Sequence, residues 1–188
     1  VTPSLSPGYF DTLYATNPDP WSFQTSDYEH AKYIATIAAL GGAQFARGFE
    51  IGCSIGVLTR RLASHCDTLL SIDVAEAALA QARQRCADLK HVTFARMQVP
   101  EQWPAARFDL IVLSEVLYYF DSAGIAAIAA KVRASTDPGA PVVLVHWLGA
   151  TNYPTGGDAA AEQFISACAG RAVCTQSRTA HYRLDVLR

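Results

Sequence analysis

The residues best suited to chemistry are a carboxylate and glycines at fixed spacing in Phe49-Glu50-Ile51-Gly52-Cys53-Ser54-Ile55-Gly56-Val57-Leu58-Thr59. A second apolar run ends in an acid at Ser71-Ile72-Asp73. An apolar strand that stops in a glycine turn and opens a helix, with an acid about 20 residues on, suits a nucleoside. Glycines remove the Cβ atoms that would keep a ligand from the backbone, and a carboxylate offers two acceptor oxygens to a vicinal diol. The dinucleotide pattern G-x-G-x-x-G, started at Gly52, meets Ser54 and Val57 where glycines belong. A pattern of acid followed by G-x-G-x-G matches Glu50, Gly52 and Gly56, with only Ser54 in place of a glycine. The second register fits better, and an NAD-linked oxidoreductase is left as the weaker alternative.

A second set of reactive side chains lies later in the chain. Ser114, Glu115, Tyr118 and Tyr119 follow one apolar run, and His146 and Trp147 follow another. In open α/β sheets ligands lie beyond the C-terminal strand ends, so both groups are expected to rim a pocket. Glu115 and His146 are the candidates for a base or proton path. Their structural alternatives are a carboxylate capping backbone amides and a hydrogen-bonded histidine. Trp147 could stack on a ligand ring, and Tyr153 belongs to a glycine-containing loop, Asn152 to Asp158, that could form part of an acceptor site. Asp158 alternatively caps the next helix.

The elements that position these residues follow from periodicity. Pro18-Asp19-Pro20-Trp21 forbids regular helix at that point, and residues 1–27 are expected to be an arm or lid. Ser26 or Asp27 can cap a helix from Tyr28 to Leu40 with a buried stripe of Tyr33, Ile34, Ile37 and Leu40. Strands are then expected near 46–52, 68–73, 91–96, 108–113 and 140–147, with helices near 56–65, 75–88, 121–135 and 158–169. The last two β-prone segments, 171–177 and 181–187, read as a hairpin. The expected fold is α/β: a doubly wound, mostly parallel seven-stranded sheet with helices on both faces and an antiparallel C-terminal edge. One domain over residues 1–188 is expected, with the α/β core over 28–188.

Fifteen basic against seventeen acidic residues, a net charge of −2, provide no basic block for a phosphate backbone, so nucleic acid is a disfavoured partner. Five cysteines without C-x-x-C spacing suggest free thiols in a reducing cytoplasm rather than disulfides or a metal site. No basic stretch precedes an apolar run, and no run approaches the roughly 18 apolar residues of a span, so neither a leader nor a membrane segment is expected. A chain opening on Val1 rather than Met is expected to lack some native residues.

The acid and glycine pattern resembles the first motif of class I S-adenosylmethionine-dependent methyltransferases. The resemblance narrows over Asp19-Pro20-Trp21-Ser22-Phe23, Ser26 to Tyr33, Leu113 to Tyr119 and Val145-His146-Trp147, which are similar to the NodS group of N-methyltransferases. It covers residues from about 10 to 187. NodS proteins methylate the free amine of a de-N-acetylated chito-oligosaccharide in nodulation-factor synthesis. The resemblance therefore implies S-adenosylmethionine as cofactor, S-adenosylhomocysteine as product and a small polar acceptor such as an amino sugar. By the same resemblance, Gly52 and Gly56 admit the methionine and ribose portions, Glu50 orients the loop and the ammonium group, and Asp73 takes the ribose hydroxyls. Cys53, Ser54, Val74 and Ser114 complete that surface, with Trp21, Tyr28 and Lys32 contributed by the N-terminal segment. Lys32 would meet the cofactor carboxylate. Many members carry an acid after the third strand for the adenine amino group, where this chain has Met97-Gln98-Val99. The Gln98 amide oxygen can accept that bond, and Met97 can pack on the purine. Tyr118, Tyr119, Trp147 and Tyr153 are the expected acceptor contacts. O-methylation of a small metabolite and cofactor binding without catalysis are the alternatives.

Overall fold

The computed structural model describes residues 2–188. Seven strands form one sheet in the order β3-β2-β1-β4-β5-β7-β6. They are β1 Phe45–Ile51, β2 Cys66–Asp73, β3 Val92–Arg96, β4 Leu110–Ser114, β5 Val142–Trp147, β6 Val173–Arg178 and β7 Tyr182–Leu187. The helices are α1 Pro7–Thr16, α2 Asp27–Ala38, α3 Val57–Leu62, α4 Glu76–Arg85, α5 Ser122–Ser135 and α6 Gly157–Ala167. This is the expected doubly wound α/β architecture. The chain divides into two compact units, Ser6–Gln98 and Val99–Arg188, the latter joined by the residues up to Leu5.

In the first unit β1 runs parallel to β2, and β2 parallel to β3. The β1–β2 register sets Glu50 beside Ser71 and Ile51 beside Ile72, so both strands release their loops at the same level. Phe49, Ile51, Leu69 and Ile72 are buried, which makes this sheet region apolar around the buried acid Glu50.

The N-terminal segment is more ordered than the sequence suggests. Pro7 starts α1, where its missing N–H and fixed φ are harmless, and the helix runs to Thr16 before the proline-rich stretch. Asp19 then ties the turn: its carboxylate accepts from Phe23 N at 2.8 Å and Gln24 N at 3.1 Å. In α2 it is Ser26 that caps, accepting from Glu29 N at 3.3 Å. The expected stripe is corrected at Ile34, which is 51% exposed, whereas Tyr33 and Leu40 are buried. Burial falls instead on Glu29, Lys32, Tyr33 and Thr36. The physical reason is that Lys32 Nζ and the Glu29 carboxylate pair at 2.9 Å within one turn, which lets the lysine enter the interior.

In the second unit β4 is parallel to β5, with Ser114 beside Val145, and β5 is antiparallel to β7. Both central strands are apolar runs and are buried almost throughout. The expected hairpin is present: β6 pairs antiparallel with β7 and is exposed along its whole length, as an edge strand with Thr, Gln, Ser and Arg should be. Among the described residues no helix is long and apolar enough to cross a membrane, and the five cysteines are free thiols, four of them buried.

Candidate functional site

The glycine loop of the first unit is built as a left-handed sequence of turns. Gly52, Ser54 and Gly56 have φ of 79°, 50° and 80°. Gly52 N and Cys53 N both donate to Ile72 O at 2.9 Å, which pins the end of β1 to the end of β2. A Cβ on Gly56 would lie 2.9 Å from Cα and Cβ of Ala82, so this glycine also lets α4 pack against the loop. Ser54 occupies a left-handed conformation that ordinarily favours glycine.

Two carboxylates flank the loop. Glu50 is 1% exposed, and Thr59 Oγ1 at 2.6 Å and Ser71 Oγ at 2.7 Å both donate to its Oε2. Among the described residues Oε1 accepts no protein hydrogen bond. Burial pushes the Glu50 carboxyl up to about 7 against the opposing pull of those two hydroxyls. A buried carboxylate with one open oxygen and so raised a pKa is a site that a cation would stabilise. Asp73 accepts from Ser54 N at 2.8 Å on Oδ2 and from Ala75 N at 2.9 Å on Oδ1. Burial raises its pKa while these amides oppose the rise. Each oxygen has two lone pairs, so the aimed carboxylate keeps capacity for a vicinal diol. The Cys53 thiol is pushed well up by burial and the nearby carboxylates, so it is neutral and inert here.

Around these groups, Val74 and Met97 are half-buried, and Met97 N donates to Asp73 O at 3.0 Å. Gln98 is exposed at the end of the unit, and Val99, buried, begins the next one. Trp21 packs with Phe23, Tyr14, Ile55, Ala75 and Ala78. Trp21 and Phe23 have ring centroids 5.4 Å apart. Lys32 Nζ lies 5.1 Å from the Tyr28 ring centroid and is buried with Glu29. It is not the solvated lysine that a lone helical Lys usually is.

The second unit gathers the other group of predicted residues. Glu115 follows β4 with φ of 58°, a conformation that a glutamate seldom adopts. Its Oε2 accepts from Tyr118 Oη at 2.6 Å and from Trp147 N at 2.9 Å, and its own N donates to Val145 O at 2.8 Å. One carboxylate thus ties the end of β4 to the end of β5. Burial, with the Glu115 charge beside it, holds the Tyr118 phenol well above its usual range. The Tyr118 ring stacks on Tyr153 at 5.3 Å and 14°, and Tyr119 meets both rings edge-on. His146 is buried, and its Nε2 accepts from Leu117 N at 3.2 Å, which places the ring proton of that neutral imidazole on Nδ1. Ser114 is buried at the strand end.

Sequence reasoning missed four participants. Thr59 and Ser71 hold Glu50; Ser71 was readable only from the strand register that sets it beside that acid. Tyr14 shares a hydrogen bond with Ser54 Oγ. His181 stacks flat on Trp147, with centroids 5.6 Å and planes 5° apart. No local pattern marks either of the last two.

A family model described as Nodulation protein S (NodS) matches residues 13–134. The chain belongs to the NodS family. Nodulation protein S of Sinorhizobium fredii is 33% identical over 116 residues, 61% of this chain and 53% of that protein. The chain spans about half the length of the curated NodS relatives it matches. The crystal structure of the N-methyltransferase NodS from Bradyrhizobium japonicum WM9, in complex with S-adenosylhomocysteine, superposes with a TM-score of 0.78 at 26% identity. That match covers 95% of this chain and 98% of the crystallised one. The DhpI complex with S-adenosylhomocysteine reaches a TM-score of 0.79 at 16% identity, a likeness of fold alone. The NodS family model ends within α5, so Glu115 and Tyr118 lie inside it and His146 and Trp147 beyond it.

Proposed function

We propose that this protein is an S-adenosylmethionine-dependent methyltransferase that methylates nitrogen on a small polar acceptor, an amino sugar or chito-oligosaccharide amine being the favoured class. The observation that carries the reading is the pair of aimed carboxylates on a left-handed loop, Glu50 with an open oxygen and Asp73 held by two amides, in a chain of the NodS family. The bound cofactor supplies a methyl group activated by a sulfonium. Glu50 would hold its ammonium, Asp73 its ribose hydroxyls, and Gly52, Cys53 and Ser54 the backbone surface between them. Val74, Met97, Gln98, Val99 and Ser114 are assigned to the remaining donor surface, and Trp21 and Tyr28 to the cover. Lys32, already paired with Glu29, is assigned to the cofactor carboxylate through that buried pair.

On the acceptor side an amine must arrive neutral or lose a proton before it attacks. Glu115 is assigned to that proton, because its carboxylate is already aligned by Tyr118 and Trp147 N. His146 is assigned a role beside it, fixing the Leu117 turn that carries Glu115 and Tyr118. Tyr119, Trp147 and Tyr153 would supply ring faces for a sugar.

Calorimetry with S-adenosylhomocysteine is expected to show one binding site on the folded protein. Incubation with labelled cofactor and a panel of glucosamine oligomers, amines and hydroxy compounds is expected to label nitrogen. Absence of binding to well-folded protein would reject the methyltransferase reading, and labelling confined to oxygen would reject its N-specific form.

A further inference from the structure

Resting on the donor reading above, we propose that Tyr14 is a positioning residue of the donor site, acting through Ser54 on Asp73. The middle position of the loop is the one where this chain departs from glycine, and the departure has a cost. A residue with a Cβ in the left-handed region meets a steric clash with the following carbonyl that glycine avoids. Ser54 stays there, at φ of 50°, while bonded on two sides. Its N–H donates to Asp73 Oδ2 at 2.8 Å, and its hydroxyl shares a hydrogen bond with the Tyr14 phenol.

Tyr14 comes from α1, 40 residues upstream of Ser54, and its ring is 5% exposed. It packs in one cluster with Ile55, which follows Ser54, and with Ala75, whose N–H is the second partner of Asp73. Trp21 meets the ring edge-on at 6.0 Å. One side chain therefore touches the segments that carry both backbone donors to the diol-accepting carboxylate. Burial and the Asp73 charge keep the phenol neutral, so it is present as a hydroxyl at any physiological pH. Docking of α1 and orientation of Asp73 are thus linked. A donor that needs the aimed carboxylate favours the docked helix, and the docked helix favours the donor by the same factor.

The test is a set of calorimetric titrations of S-adenosylhomocysteine into wild-type protein and the variants Y14F, S54A, S54G and Y14F/S54G, each checked for its melting transition. Loss of one hydrogen bond corresponds to about a ten-fold loss of affinity in Y14F, and S54A is expected to match it from the other side. Glycine at 54 needs no holding, so Y14F/S54G is expected to bind within about two-fold of S54G alone. Equal loss from Y14F in the serine and glycine backgrounds, or wild-type affinity in Y14F or S54A, would overturn the inference. Should wild-type protein bind no S-adenosylhomocysteine, the donor reading itself fails, and this inference with it.

Discussion

The two halves of the candidate machinery are built from different materials. In residues 6–98 the loop proposed for the donor is held by backbone amides and small hydroxyls: Ile72 O takes two N–H groups, Asp73 takes two more, and Glu50 takes Thr59 and Ser71. In residues 99–188 one carboxylate, Glu115, accepts from Tyr118 Oη and Trp147 N, and behind these partners lie rings: Tyr118 packs with Tyr119 and Tyr153, and Trp147 stacks on His181. The difference teaches where each half gets its selectivity. Backbone geometry defines one ligand closely and tolerates few residue changes, whereas ring faces accept any flat or sugar-like surface of suitable size. A common donor and a variable acceptor would be served by this division.

The comparison breaks most visibly at Asp73. D73A removes the proposed charge-assisted diol contact and strands two amides, so affinity for S-adenosylhomocysteine is expected to fall more than about 100-fold by calorimetry. A loss under ten-fold would mean that the amide frame does not define the donor.

Next in size, E115Q keeps an oxygen to accept from Tyr118 and Trp147 N but cannot take a proton. Its kcat is expected to drop by about 100-fold while donor affinity stays within about two-fold of wild type. An equal drop in donor affinity would erase the separation between the halves.

A smaller effect concerns pH. The folded-state Glu50 carboxyl, at about 7, lies above its usual value of 4.5, so the unfolded chain releases that proton first. Its contribution to stability is therefore full below about 4.5 and is lost as pH rises through about 7, in total about 3 kcal/mol. Donor binding runs the opposite way, because only the ionised acid attracts an ammonium. Wild-type affinity for S-adenosylhomocysteine is expected to weaken by up to about ten-fold per pH unit below pH of about 7. E50Q should flatten that profile and melt higher than wild type above neutrality. A pH-independent wild-type affinity across pH 5 to 8 would remove Glu50 from ammonium binding.

The smallest change is expected at the rim. H181A takes one covering ring from Trp147 without touching the Glu115 carboxylate, and should raise the acceptor KM by about three-fold with kcat unchanged. An effect on donor affinity would place the stack on the wrong side of the comparison.

The alternation of strands and helices, the glycine turn and the acid at the end of β2 were all legible because they depend on neighbours in sequence. The same local patterns placed Glu115 and His146 at strand ends and the C-terminal hairpin at the sheet edge. The Tyr28 to Leu40 stripe was misread at Ile34 because hydropathy alone cannot anticipate that Lys32 brings its own counter-ion, Glu29, into the interior. Helix α1 was hidden by the prolines around it, although Pro7 is a good first residue.

By itself, then, the sequence determined the order of elements, the glycine loop flanked by Glu50 and Asp73, and the cofactor class it suggests. Only the tertiary structure decided that Tyr14 grips Ser54, that Ser71 and Thr59 share one oxygen of Glu50, and that His181 covers Trp147. These partners meet through strand register and chain return over separations of 9 to 40 residues, where no periodic pattern survives. Loop dihedrals are dictated by a few adjacent residues, but a hydrogen bond or ring stack exists only once the packed core has set the distance.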